Sequence, residues 1–272
     1  VRLTGAGLDT ANVGNNILIL SLTATVLTVK TFAENDLVAE GPIAAVAVVV
    51  VGKQTYAPQT GHISPSFAVE EFYENIGVSE LHLGNRVGTV AVSLPTSGFC
   101  TADFTFMGKG KTVNGTSQFY TAPQPSPNTG STVSVSGSVI VNGVPAGVIT
   151  SADFNIDRAL APANVIGTNY AVEIFDGRIS VTGNMSTYME NGTFRDYFLD
   201  ETRISVVFAL TTGSEKDANV ITFVLPSVQL GSSTRDDQES GIVQSHSFQA
   251  LLNTNTTNGN VLSTMLIQDS TL

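Results

Sequence analysis

The feature that most constrains the fold is an alternation of apolar and polar side chains between residues 178 and 190. The apolar positions include Ile179, Val181, Met185 and Met189. The positions between them are Arg178, Ser180, Thr182, Asn184, Ser186 and Tyr188. A period of two is that of a β-strand, whose successive side chains point to opposite faces of a sheet. We therefore predict a strand with one apolar and one wet face, lying at the surface of a sheet and not in its middle.

The sequence around this strand predicts further elements in a fixed order. A strand at residues 152–157 is followed by a loop through Gly167 and a strand pair broken at residues 176–177. A short helix is expected at residues 193–199, because Phe194, Tyr197 and Phe198 would form one aromatic face and Asn191 or Thr193 could cap its start. A strand should begin at residue 203.

Residues 61–70 have weak sequence similarity to residues 147–157, which we call the sequence echo, and each segment is followed by a loop, a glycine and an amphipathic strand. In the earlier copy, Cys100, Ala102, Phe104 and Phe106 alternate with Thr101, Asp103 and Thr105. Two interpretations remain open. The echo indicates either an internal repeat of roughly 90 residues or two ordinary hairpins that look alike.

The composition favours a β-rich protein that does not grip nucleic acid. Of the 272 residues, 42% are hydrophobic and only 13% are charged, and Thr, Ser, Asn, Val and Gly are plentiful. The net charge of −11 argues against a surface that binds phosphates. The single cysteine, Cys100, excludes a disulfide framework and is expected to be a buried thiol.

The order of these patterns predicts four regions. They are a small β module at 1–52, a first β domain at 53–122, a linker at 123–130 and a second β domain at 131–272. The apolar run at 43–51 is too short for a membrane helix and is predicted to be a buried strand. A hairpin is expected at 86–107, a charged loop at 232–241, and a final strand pair formed by 245–252 and 260–268.

No motif in the chain favours catalysis, a cofactor or a metal. The phrase GKGKT at residues 108–112 lacks the opening glycine of a phosphate-binding loop and the helix that should follow, so we expect a basic turn at a strand end. His62, His82 and His246 have no ligand spacing and no cysteine partners. An acidic β protein of this kind is more consistent with an assembly subunit whose strand edges are completed by neighbouring copies.

Several phrases resemble the tail tube (major tail) proteins of long-tailed, non-contractile bacteriophages. They are LTATVLTV at 22–29, SFAVEE at 66–71, FTFMGK at 104–109 and GNMSTYME at 183–190, followed by the helix and the strand at 204–210. Their order spans most of the chain, and the start of the chain and the insert at 114–130 resemble the family least. The resemblance implies a mainly β fold of tandem sandwich or barrel-like tube domains with a short flanking helix.

The same resemblance implies a virion protein that conducts DNA without binding it specifically. Inner sheets of neighbouring copies would join into a ring, and stacked rings would form a tube through which double-stranded DNA passes into the host. A ring commonly carries six tube domains, so a duplicated chain would form homotrimeric pseudo-sixfold rings and an unduplicated one homohexameric rings. Other tail proteins would bind the tube ends, and no membrane anchor is expected.

Two groups of residues are the candidate sites on this interpretation. The candidate lumen or inner-sheet face comprises Thr101, Asp103, Thr105, Ser180, Thr182, Asn184 and Ser186. The candidate contacts between rings comprise Arg235, Asp236, Asp237, Leu266 and Ile267. A viral capsid or decoration protein and a secreted β-sandwich adhesin are the alternatives, because both share a β-rich chain without catalytic motifs.

Overall fold

The computed structural model describes residues 1–32, 37–43, 45–57, 63–122, 124, 130–132, 137–238, 241–254 and 262–271, with 237 and 238 as backbone only. Within these ranges lie nineteen β-strands and one α-helix. The strands are β1 (Arg2–Thr4), β2 (Ile17–Leu22), β3 (Leu27–Thr31), β4 (Ala47–Val49), β5 (Lys53–Tyr56), β6 (Phe67–Tyr73), β7 (Val78–Leu94), β8 (Thr101–Met107), β9 (Lys111–Gly115), β10 (Ser138–Val141), β11 (Val144–Pro145), β12 (Ile149–Asp157), β13 (Ala161–Ala163), β14 (Glu173–Phe175), β15 (Ser180–Tyr188), β16 (Ile204–Thr211), β17 (Val220–Gln238), β18 (Gly241–Ala250) and β19 (Leu266–Asp269). The helix is α1 (Thr193–Leu199).

Two antiparallel layers share strand β17, and together they form a β-sandwich. The first layer, which we call the polar-faced sheet, has the order β8–β7–β12–β15–β18–β17 and uses the second half of β17. The second, which we call the covering sheet, has the order β11–β10–β16–β17–β19–β5 and uses the first half of β17. The register of β17 against β18 shifts at Gly231. A bulge of this kind bends a long strand and increases its twist, which lets one strand serve both layers.

The hydrophobic core lies between the two layers. Phe154 of β12 is only 2% exposed, and its ring stacks on Phe208 of β16 at 5.7 Å between centroids and meets Phe223 of β17 edge-on at 5.2 Å. Val181 and Met185, on the predicted apolar face of β15, are also buried. The alternation in β15 therefore places one side of the strand in the core, as predicted.

Helix α1 has the predicted bounds and the predicted aromatic face. Phe194 is buried, and Tyr197 and Phe198 pack against the core cluster. The backbone N–H of Thr193 donates to Oδ1 of Asn191 at 2.9 Å, so the Asn191 side chain satisfies one of the first amides of the helix.

Four predictions about individual strands are wrong. Strand β15 lies between β12 and β18, in the middle of its sheet. Its alternation does not mark an edge position, because every strand of a sheet with one solvent-facing side alternates in this way. Residues 232–238 are not a loop: β17 continues to Gln238 and pairs with β18 down to Gly241. Strand β19 pairs with β17 and β5, and not with β18. Of the described residues in the predicted buried strand at 43–51, only those of β4 form a strand, and they are exposed in a two-stranded sheet with β1.

The strand pair predicted on either side of residues 176–177 does not form, because β14 pairs with β13 and β15 pairs with β12 and β18. Further predictions are confirmed or lie outside the described residues. The hairpin of β7 and β8 forms as expected, and Lys109 lies in a turn between β8 and β9. Cys100, which is expected to be buried, is only half-buried, although it packs against the core. Of the predicted linker at 123–130, only residues 124 and 130 lie within the described ranges.

The strands that carry the sequence echo do not have equivalent partners. Strand β8 pairs with β7 and not with β6, whereas β15 pairs with β12. Strand β7 of the first predicted unit also pairs directly with β12 of the second. The pairing of the described strands thus does not repeat at the expected interval, and the division into domains stays a prediction.

Candidate functional site

The strand register brings both sets of predicted lumen residues to one face of the polar-faced sheet. Residues that are directly opposite in neighbouring strands point to the same side. One row across the strands contains Thr101, Ser93, Asp153, Asn184, Ser247 and Ser232. The next contains Asp103, Ala91, Asn155, Thr182, Gln249 and Gln229. The row that flanks the Asp103 row contains Thr105, Thr89, Asp157 and Ser180. The row that flanks the Thr101 row contains Ser151, Ser186, Ser245 and Thr234.

We call these four rows the polar face, and they contact solvent on the side opposite the core. Asp103, Thr182 and Asn184 are exposed, while Ser180 and Ser186 are half-buried. Hydroxyl groups meet along the face, since the Oγ atoms of Ser232 and Ser247 are 2.7 Å apart. The face is therefore a continuous hydrophilic surface six strands wide.

The charge on the polar face is entirely acidic. Asp103, Asp153 and Asp157 lie on it, and no lysine or arginine occupies any position of the four rows. Asp153 accepts hydrogen bonds from the backbone N–H and the side-chain amide of Asn184, both at 3.2 Å. Arg178, a polar position of the predicted strand, lies two residues before Ser180 and outside β15.

Three basic side chains near one end of the face form ion pairs in a cluster. Arg158, which follows Asp157, donates to Asp176 at 2.6 Å, and Arg86 donates to Glu173 at 2.6 Å. Lys109 lies 3.4 Å from Glu173. The backbone N–H of Ile174, together with Lys109 and Arg86, holds the pKa of the Glu173 carboxyl below its usual value. The cluster directs these three cations toward the carboxylates of the segment around β14.

Comparison with known proteins decides what kind of molecule carries this face. A family model described as phage tail tube protein matches residues 4–250. The chain belongs to the phage tail tube protein family. No curated protein matches it.

A tail tube protein is a structural component of the virion tail, and its copies assemble with other tail subunits. The β-rich fold agrees with this membership. Within the described ranges, no helix has the length and hydropathy that a membrane crossing requires. The same part of the chain contains no cluster of three or more His, Cys, Asp or Glu that could hold a metal ion.

The predicted contacts between rings lie in two different environments. Arg235 and Asp236 are exposed near the free end of the β17–β18 hairpin, and the backbone of Asp237 pairs with Ile242. Leu266 and Ile267 lie in β19, which is half-buried and has both edges paired within the chain. The role of all five residues in contacts between rings stays a prediction.

Sequence reasoning missed the part of the polar face that β12 and β18 contribute. Asp153, Asn155 and Asp157 alternate with buried residues, as do Ser245, Ser247 and Gln249. The same period of two that identified β15 is present in both strands and could have identified them. The register that aligns them with β15 has no comparable local signal.

A polar cluster lies on the opposite side of the same sheet, beneath α1. His246 is fully buried, and its ring stacks on Phe194 with 5.6 Å between centroids. Its Nε2 atom is 3.4 Å from the hydroxyl of Thr187. Burial lowers the pKa of this imidazole below 6.5, so His246 is a neutral core residue near pH 7.

Proposed function

We propose that copies of this chain join side by side into rings, that the rings stack into a tail tube, and that the polar face lines the lumen through which double-stranded DNA passes. The observation that carries this proposal is the polar face itself. It extends across six neighbouring strands, has three aspartates and has no basic residue in its four rows.

The chemistry of the face suits a conduit for DNA. Each lysine or arginine that contacts a phosphate releases counterions and contributes binding free energy, which would hold the DNA in place. Carboxylates repel phosphates, and hydroxyl and amide groups interact with them only weakly by comparison. A surface with this composition lets DNA pass without a strong binding site along its path.

The edges of the polar-faced sheet suit closure into a ring. Among the described strands, β8 pairs only with β7, and the second half of β17 pairs only with β18. Every pair in this six-stranded layer is antiparallel, so the two edge strands run in opposite directions. Pairing β8 of one copy with β17 of the next would therefore continue the antiparallel pattern around a closed ring.

We propose a ring of six copies. The resemblance to tail tube proteins implies six tube domains in a ring, and the pairing of the described strands does not repeat within one chain. Each chain then supplies one polar face. A homotrimeric ring would require the duplicated architecture.

The lumen assignment is tested by reversing the charge of the face in virions. Asp103→Lys combined with Asp153→Lys should leave tail assembly intact but slow or block DNA ejection, because the lysines would bind passing phosphates. Neutral Asp→Asn changes at both positions should have a much smaller effect. Glu215→Lys, on an exposed loop away from the polar face, is the matched control.

DNA release is measured by fluorescence of a dye that binds ejected DNA, in virions whose tails have been counted by electron microscopy. Normal ejection by virions that carry both lysines would contradict the lumen assignment. The family match favours the tail tube over a capsid or decoration protein and over a secreted adhesin. It also favours a non-enzymatic role, because the family is structural.

A further inference from the structure

We propose that the seam between neighbouring copies in a ring consists of β8 of one copy and the second half of β17 of the next, and that a patch of phenylalanines seals it. The phenylalanine patch comprises Phe67, Phe104 and Phe106. This inference rests on the proposed function, and it adds the partner surface and the residues that hold it.

The phenylalanine patch is exposed although it belongs to the side of the sheet that faces the core elsewhere. Phe104 pairs with Val90, and its neighbour Ala102 pairs with Val92, which is only 4% exposed. Phe104 itself is 58% exposed, and Phe67 and Phe106 are each 47% exposed. Val92, on the core side of β7, is therefore buried, whereas Phe104 and Phe106 on the same side of β8 are exposed.

The patch is organised and lies at an open strand edge. The rings of Phe67 and Phe106 meet edge-on with 6.1 Å between their centroids. Phe104 and Phe106 lie in β8, whose outer edge pairs with none of the described strands. An apolar edge strand with unpaired backbone groups favours association with another chain, so a protein that assembles from copies has reason to keep it.

The side of β17 that would meet the patch follows from the strand register. Ser233 and Arg235 lie opposite His246 and Gln244, which point toward the core, so Ser233 and Arg235 are on the side away from the polar face. Phe104 and Phe106 are on the corresponding side of β8. Any pairing of β8 with β17 that makes the polar faces continuous must therefore also bring the phenylalanines next to this side of β17.

The exposed guanidinium of Arg235 suits such a neighbour. A planar guanidinium stacks on an aromatic ring through cation–π attraction and dispersion, and its charged edge can remain in water. The aliphatic part of the side chain would cover apolar surface at the same time. We infer that Arg235 of one copy packs on Phe104 or Phe106 of the next.

The first test removes the patch without disturbing the core. Phe104→Ser combined with Phe106→Ser should raise the protein concentration needed for ring or tube assembly by about tenfold or more, because central aromatic residues dominate interface energies. The unfolding transition of the monomer should stay close to that of the wild type, since both side chains are exposed. Phe175→Ser, at a phenylalanine that is 62% exposed elsewhere on the surface, is the matched control and should assemble normally.

The second test detects the seam directly and does not depend on the stability of the serine variants. In a Cys100→Ser background, a cysteine at Thr101, Asp103 or Thr105 is combined in turn with one at Ser232, Thr234 or Asp236. Oxidation of assembled tubes should link neighbouring copies into covalent ladders on a non-reducing gel for the pair that the seam aligns. Thr105→Cys combined with Lys53→Cys on β5 is the control and should give no ladder.

The outcomes separate the seam from the function. If wild-type rings have the polar face inward, but the serine variant assembles at the wild-type concentration and no β8–β17 pair gives a ladder, the seam is wrong and the proposed function stands. If wild-type tails contain rings whose polar face does not line the channel, the proposed function fails, and the seam fails with it. Ladders together with weakened assembly of the serine variant support the seam.

Discussion

Gly183 is a position in β15 where the packing of the sandwich leaves no room for a side chain. A Cβ atom there would lie 2.7 Å from the ring of Phe248 and 2.8 Å from Cβ of Phe154, and it would also overlap the backbone oxygen of Asp153. The backbone of β12 cannot move away without breaking its pairing with β15. Glycine is therefore required where two core phenylalanines close over the middle of the polar-faced sheet.

We predict that Gly183→Ala lowers the free energy of unfolding by about 1–3 kcal/mol, the usual cost of overpacking a core. Urea denaturation of the monomer measures the change. Gly147→Ala is the control, because a Cβ atom at Gly147 meets nothing within 4 Å. Equal stability of the two variants would show that the core at Phe154 is looser than the structure indicates.

Burial of His246 makes the stability of the fold depend on pH. The pKa of His246 is lowered in the fold, so the unfolded chain takes up a proton below about pH 6.5 while the folded chain does not. The contribution of the neutral imidazole to stability is complete above pH 6.5. It decreases as the pH falls from there toward the pKa of the folded state.

We predict that this loss of stability is reduced in His246→Gln, whose amide does not titrate. The measurement is the difference in urea midpoint between about pH 7.5 and pH 5.5. His82→Gln serves as the control, because the His82 side chain is 36% exposed. A pH dependence that is the same in wild type and His246→Gln would contradict the assignment of the buried imidazole as its source.

At the scale of elements, one carboxylate fastens the segment that leads toward the linker region. Glu70 of β6 accepts hydrogen bonds from the Ser79 hydroxyl at 2.6 Å and from the backbone N–H groups of Phe119 and Tyr120 at 2.7 and 3.0 Å. These bonds, the one from Ser79 first, lower the pKa of the Glu70 carboxyl below 4.5. The attachment is thus present above pH 4.5 and is lost as the pH falls through the lowered value.

We predict that Glu70→Gln speeds hydrogen exchange of the Phe119 and Tyr120 amides near neutral pH, because the amide oxygen is a weaker acceptor than the carboxylate. Hydrogen exchange followed by mass spectrometry covers these positions. Glu74→Gln, in the turn after β6, should leave the same amides unchanged. Unchanged exchange in Glu70→Gln would mean that other contacts hold the segment.

The sequence alone predicts the position of an element correctly when the pattern that identifies the element lies within its own residues. The period of two in β15 and the aromatic spacing of α1 each reflect burial of one face, so their positions could be read directly. Residues 232–238 could not be read in this way, because their serines and charges resemble a loop and only their pairing with β18 makes them a strand. The partner of β19 is likewise a long-range pairing that has no signature in its own residues.

At the scale of the whole molecule, the polar face is a product of register. Thr101, Asp103 and Thr105 were predicted to be on a wet face of one unit and Ser180 to Ser186 on that of another, and β7 and β12 bring the two together in a single sheet. The sequence pattern predicts only the part of β7 from residue 86 onward, which is where the strand changes partners. Strand β7 is seventeen residues long, and its first part pairs with β6 and β9 while its second part pairs with β8 and β12.

On the proposed function, the acidic face and the net charge of −11 suit a surface past which DNA moves. Passage requires contact without retention, and the aspartates on the face provide repulsion where basic residues would provide binding. Arg86, Lys109 and Arg158, near one end of the face, are paired with Glu173 and Asp176. The charged side chains in the four rows that we assign to the lumen are thus all acidic.

Cryo-electron microscopy of assembled tails, with helical reconstruction of the tube, would show where the polar face lies in the assembly. We predict six copies in each ring, with Asp103, Asp153 and Asn184 pointing into the channel and β8 of each copy beside β17 of the next. A tube in which these residues face outward, or are buried against another copy, would contradict it.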